Sequence, residues 1–86
     1  MWHNKLQVRF TSHVEEKLTR LKDIGITNQK ILKAFKQPEN VQNGYGSRKI
    51  LQVPLTVDLI MRIIYEESEE EFLVITVYPA KKERYQ

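Results

Sequence analysis

Leu59-Ile-Met-Arg-Ile-Ile-Tyr-Glu-Glu-Ser-Glu-Glu-Glu-Phe-Leu-Val-Ile-Thr-Val-Tyr78 decides the fold. Two runs rich in β-branched and aromatic residues are parted by an acidic tip, which predicts a hairpin with strands over residues 59–66 and 71–78. Pro79 then ends the second strand, and residues 80–86 form a basic tail carrying Lys81, Lys82, Arg84 and Tyr85. Upstream, residues 48–53 read as a third strand closed by Pro54, which cannot donate to a sheet ladder. A short piece around Val41 precedes it, with a turn at Asn43-Gly-Tyr-Gly46.

The N-terminal half has a different period. Residues 5–10 alternate Leu6, Val8 and Phe10 with polar partners, as a strand with one wet face does. Ser12-x-x-Glu15 is a capping box, so a helix should start near His13 and bury Val14, Leu18 and Leu21. Gly25 supplies a left-handed stop, with Ile26 folding back over the helix end. Thr27 caps a second helix whose apolar residues are Ile31, Leu32 and Phe35, and Pro38 ends it. Strand, helix, helix and then a meander of three or four strands is an α+β order. It predicts two helices packed on one face of a mostly antiparallel sheet of about four strands.

With 86 residues the chain makes one domain, over 1–86. A core of this size is modest, and a partner would help it. There is no cysteine, which excludes disulfides and thiolate metal sites and fits a reducing, cytoplasmic compartment. No apolar run approaches the roughly 20 residues of a membrane-spanning helix, and no leader pattern opens the chain. Charge is lopsided: residues 1–36 hold eight Lys or Arg against three acids, while residues 66–86 hold three against six. Such asymmetry suits a polyanion or an acidic partner, and also an ordinary solvated surface.

Three features point to RNA chemistry together and not singly. His13 stands in the first turn of its helix, where free backbone donors attract anions, and forms a stripe with Lys17 and Arg20 beside the buried one. A histidine there either exchanges protons in RNA cleavage or merely caps the helix. Arg62 interrupts an apolar strand; with Arg48 it either clamps a phosphate on the sheet face away from the helices or pairs with a glutamate across the sheet. By alternation Phe72, Val74, Thr76 and Tyr78 share one side of the last strand, and Arg62, Thr76 and Tyr78 on one side would make a bowl. Tyr78 and Tyr85 suit base stacking or proton transfer. Tyr45, Tyr65 and Trp2 read as packing or loop aromatics. No phosphate loop, metal-ligand spacing or serine nucleophile motif is present, so neither cofactor nor metal is expected.

Phe10-Thr-Ser-His13, the Gly25-Ile-Thr27 turn, Gln37-Pro-Glu-Asn-Val41, Arg48, Arg62-Ile-Ile-Tyr65 and Val74-Ile-Thr-Val-Tyr-Pro79, followed by Lys81 to Tyr85, resemble a family of small uncharacterised bacterial and archaeal proteins. That family is similar to the BrnT toxins and, more distantly, to the RelE and ParE toxins; the resemblance runs roughly from Val8 to Tyr85. It implies a RelE/ParE-like fold and a toxin-type endoribonuclease that cuts messenger RNA, free or ribosome-bound, without a metal and is countered by a cognate antitoxin. Arg48, Arg62, Lys81, Arg84 and Tyr85 match the relatives' basic sheet and C-terminal tyrosine, and His13 matches the helix motif. Lys22-Asp-Ile-Gly25 departs from it, because many members carry an arginine just before that glycine. The catalytic candidates are therefore His13, Arg48, Arg62 and Tyr85. Those for RNA binding are Lys17, Arg20, Thr76, Tyr78, Lys81, Lys82 and Arg84. The alternatives are a binding module without catalysis, for an acidic protein or nucleic acid, and a gyrase-directed toxin. A homo-oligomer is compatible with any of them.

Overall fold

The computed structural model describes residues 7–84. The elements run β1 (Gln7–Phe10), α1 (Ser12–Leu21), a 3-10 turn (Lys22–Ile24), α2 (Asn28–Lys36), β2 (Val41–Asn43), β3 (Lys49–Pro54), β4 (Leu59–Glu67), β5 (Glu71–Lys81) and a last 3-10 turn (Lys82–Arg84). The fold is α+β, as the sequence predicts. The sheet has five strands rather than about four, in the order β1-β5-β4-β3-β2. The meander from β2 to β5 is antiparallel, and β1 lies parallel to β5 at its outer edge, so the sheet is mixed.

Local chemistry explains the helix boundaries. Thr11 is extended and its hydroxyl accepts from the Val14 N–H, so Thr11 is the cap and α1 begins at Ser12. The expected capping box is thus displaced by one residue: Ser12 is already helical, and Glu15 donates its own N–H to the Thr11 carbonyl. Gly25 ends the helical stretch at φ 94°, a conformation that penalises any Cβ, and the Ile26 N–H returns to the Leu21 carbonyl. Ile26 is fully buried behind it. Thr27 caps α2 by accepting from the Lys30 N–H.

Both helices bury their stripes against the same sheet face. Val14 and Leu18 of α1 and Ile31 and Ala34 of α2 join Leu51, Met61, Ile63, Tyr65, Val74 and Val77 in one core. Phe35, Tyr65 and Phe72 close it with ring centroids 4.7 to 5.5 Å apart, which makes Tyr65 a packing aromatic. The α2 stripe differs from the expected one. Ala34 is inside, whereas Leu32 lies on the outer face, 38% exposed.

Two expectations for β5 fail. Ile64 pairs with Thr76 while Tyr65 pairs with Val74, so Ile75 is an extra residue in a β-bulge. The bulge switches the alternation. Phe72 and Val74 face the core with Val77, and Leu73 joins Thr76 and Tyr78 on the far side. The strand also continues past Pro79 to Lys81, with Pro79 opposite Met61. Proline is tolerated because β1 covers β5 only as far as Val74, so beyond that point β5 is an edge and the absent N–H faces outward. Of the supposed tail, the described residues 80–84 are strand and 3-10 turn, anchored by a 2.9 Å bond from the Lys82 N–H to the Asp58 carbonyl.

Candidate nucleic-acid interface

The sheet face turned away from the helices holds Gln42, Ile50 and Gln52 of β2 and β3, Ile60, Arg62, Ile64 and Glu66 of β4, and Leu73, Thr76, Tyr78 and Ala80 of β5, as the register dictates. At its centre Arg62 stands directly between Gln52 and Tyr78. Arg62 is 6% exposed and Gln52 8%, the two buried polar side chains among the described residues. The guanidinium carbon lies 5.9 Å from the centre of the Tyr78 ring, within the range of a cation–π contact. The Gln52 Oε1 is buried and accepts no hydrogen bond.

One step along β5, Thr76 meets α1. The Lys17 Nζ donates to the Thr76 Oγ1 at 3.4 Å. Because β5 is an edge beyond Val74, a long lysine stem on α1 can pass beside it and place its charge on the far-face threonine. Thr76 and Tyr78 are two residues apart, roughly 7 Å on strand geometry. The Lys17–Thr76 and Arg62–Tyr78 contacts therefore lie side by side, and this is where the structure brings sequence candidates together. His13 and Arg20 share the solvent side of α1 with Lys17, and both are exposed.

Other candidates lie elsewhere. Arg48 precedes β3 and shares the Arg62 face, but it projects opposite Glu66, which it meets at 3.6 Å. Four residues separate it from the position facing Arg62, roughly 13 Å along the strand, so the two guanidiniums do not converge. Lys81, Lys82 and Arg84 are exposed at the opposite end, where Lys81 and Lys82 lie beside the Val57-Asp58 loop. Tyr85 lies outside the described residues. Tyr45 tops the turn before β3, 94% exposed.

The far face also carries an ion pair that sequence reading missed. Arg9 of β1 grips Glu71 through two bonds of 2.8 and 2.9 Å. The hydrogen bonds from Arg9 hold the Glu71 carboxyl below the usual carboxylate range. The pair links β1 to β5 across the edge of the sheet and offsets the charge of Glu71. Gln52 was missed as well. Its signal is the one that singled out Arg62: a long polar side chain inside an apolar strand, Ile50-Leu-Gln-Val53.

Among the described residues no group of three or more His, Asp or Glu side chains is placed to hold a metal ion, and no helix is long and apolar enough to cross a membrane. What the arrangement offers is an amide and a guanidinium on an aromatic face in one cross-strand row, Gln52–Arg62–Tyr78, with a threonine hydroxyl and a lysine in the next. These groups bind phosphate and stack or hydrogen-bond with bases. Compared with known proteins, the chain matches no family model, no curated protein and no solved structure.

Proposed function

We propose that this chain is a toxin-type endoribonuclease with a RelE/ParE-like fold, cutting messenger RNA without a metal and restrained by a cognate antitoxin. The observation that carries the reading is the pair of contacts Lys17–Thr76 and Arg62–Tyr78, which sets a cation from α1 and one from β4 against two β5 residues on the same face. The sequence resemblance supplies the reaction class.

In this reading Arg62 holds the scissile phosphate and stabilises the charge that develops on it, and Tyr78 stacks on a base. Lys17 and Arg20 draw in the RNA backbone, with Lys81, Lys82 and Arg84 acting at a greater distance. The 2′ oxygen attacks phosphorus and the P–O5′ bond breaks. The 2′-OH proton passes to a base and the leaving 5′ oxygen gains one; His13 and Tyr85 are the residues proposed to move these protons. The products are a 2′,3′-cyclic phosphate and a 5′-hydroxyl end.

A second reading, a binding module without catalysis, draws on the depth of Arg62. A guanidinium only 6% exposed also suits a cation that organises the sheet. The two readings separate in one assay. Purified protein is incubated with single-stranded RNA in a chelator, and the termini of any products are analysed. The ribonuclease reading requires cyclic-phosphate termini from the wild type and at least a tenfold loss of rate in Arg62→Lys, which keeps the charge but not the planar fork. Cleavage at full rate by Arg62→Ala of native fold would remove Arg62 from the site. Products with 5′-phosphate ends would remove the mechanism.

A further inference from the structure

On the helix side of the molecule, α2 presents a surface that the ribonuclease reading does not use. From Ile24 to Pro38 the chain contains Lys30, Lys33 and Lys36 and no carboxylate. None of these lysines forms an ion pair with a described residue, whereas Arg9, Arg48 and Lys49 each have a carboxylate partner. Two adjoining grooves flank the helix. One is lined by Lys30, Lys33, Ala34, Gln37, Glu39, Val53 and Pro54, and the other by Gln29, Leu32, Lys33, Lys36 and Gln37. Lys33 and Gln37 border both.

We infer that this surface docks an acidic peptide segment of a partner protein, with its carboxylates on Lys30, Lys33 and Lys36 and its apolar side chains on Leu32, Val53 and Pro54. Charge complementarity selects an anion. The lining selects a peptide over RNA. It has an apolar floor and an exposed leucine, and no tyrosine, tryptophan or phenylalanine on which a base could stack. Glu39, the one carboxylate among the lining residues, repels any anion close to it, so the peptide's carboxylates sit on the lysines and Glu39 is left to accept a backbone N–H. Lysines in the last turn also suit the helix dipole, which explains Lys33 and Lys36 in part. The dipole does not account for the exposed Leu32 beside them.

The inference stands apart from the ribonuclease reading and is tested without any assay of activity. Isotope-labelled full-length protein is titrated with a synthetic amphipathic peptide bearing glutamates on one face and leucines on the other. Single-stranded oligouridine is titrated in parallel, and amide shifts are mapped. Docking predicts saturable shifts at Gln29, Lys33, Gln37 and Val53 with the peptide. Lys33→Glu combined with Lys36→Glu should weaken binding about tenfold or more, and Leu32→Ser severalfold, with the remaining spectrum native in both. Because all three positions are exposed, loss of folding is not the expected route to loss of binding. Shifts on α2 produced by oligouridine in place of the peptide would overturn the assignment in favour of nucleic acid. Peptide shifts confined to other elements, or none at all, would overturn it outright.

Discussion

Gln52 carries a buried acceptor whose hydrogen bond is not made. The acceptor is its Oε1, in a strand whose other central residues are apolar. An unmade hydrogen bond of a buried acceptor costs about 1 to 3 kcal/mol, and replacing the amide by an apolar group of similar shape removes that cost. Gln52→Leu should therefore raise stability by about 1 kcal/mol, read as a higher urea midpoint at unchanged slope. In the proposed interface the same substitution should weaken RNA binding, so stability and binding move in opposite directions, as a polar group kept for a ligand requires. A lower urea midpoint would show instead that the amide contributes to folding.

Tyr65 gives a second residue-level test, this time through pH. Burial first, and the Glu67 carboxylate second, raise its phenol above the ordinary tyrosine value. Below that ordinary value, about pH 10, the phenol is neutral in folded and unfolded chains alike, and its contribution is intact. As pH rises through it the unfolded chain loses the proton first, so stability falls. Tyr65→Phe should match the wild type at neutral pH and lose less stability above about pH 10. Paired urea titrations at the two pH values isolate the difference from the lysines, which titrate in both proteins.

At the scale of elements, the position of the α1 cap is directly testable. Thr11 accepts the Val14 N–H and Ser12 is already helical. Thr11→Ala should cost about 1 kcal/mol, a fall in Tm of roughly 4 to 8 °C for a domain of this size. Ser12→Ala should stay within about 0.5 kcal/mol. The reverse ranking would restore the capping box that the sequence suggests. The same contrast shows what was legible in advance. Gly25, Thr27 and the acidic hairpin tip act through neighbours a few residues away, and the helix stop, the second cap and the β4–β5 hairpin all fall where the sequence places them. The bulge at Ile75 carries no local mark, since it exists only as a mismatch with β4. Strict alternation therefore put Phe72 and Val74 on the wrong face. Passage of β5 through Pro79 was hidden for a related reason. It depends on β1 stopping at Phe10 and leaving that edge bare.

Over the whole molecule, the helices carry the chain from one edge of the sheet to the other, between β1 and β2, and cover one face in doing so. That route leaves the far face free of helices and lays α1 beside the exposed edge of β5. Lys17 can then reach Thr76, next to the Arg62–Tyr78 pair. The residue types of this cluster were readable from sequence, and its composition was not. Arg48 was expected beside Arg62 but answers to Glu66, while Lys17 was assigned to a helix ridge and turns out to touch the sheet. Side-chain alternation tells which face a residue shares; distance along the sheet needs the register.

The most direct test of the account is to induce the wild-type chain and Arg62→Ala in a bacterial host and map new RNA 5′ ends while following growth. The account predicts arrest and discrete cuts with 5′-hydroxyl ends from the wild type alone, with the variant folded and inert. Unchanged growth and RNA with both proteins, each soluble and folded, would contradict it.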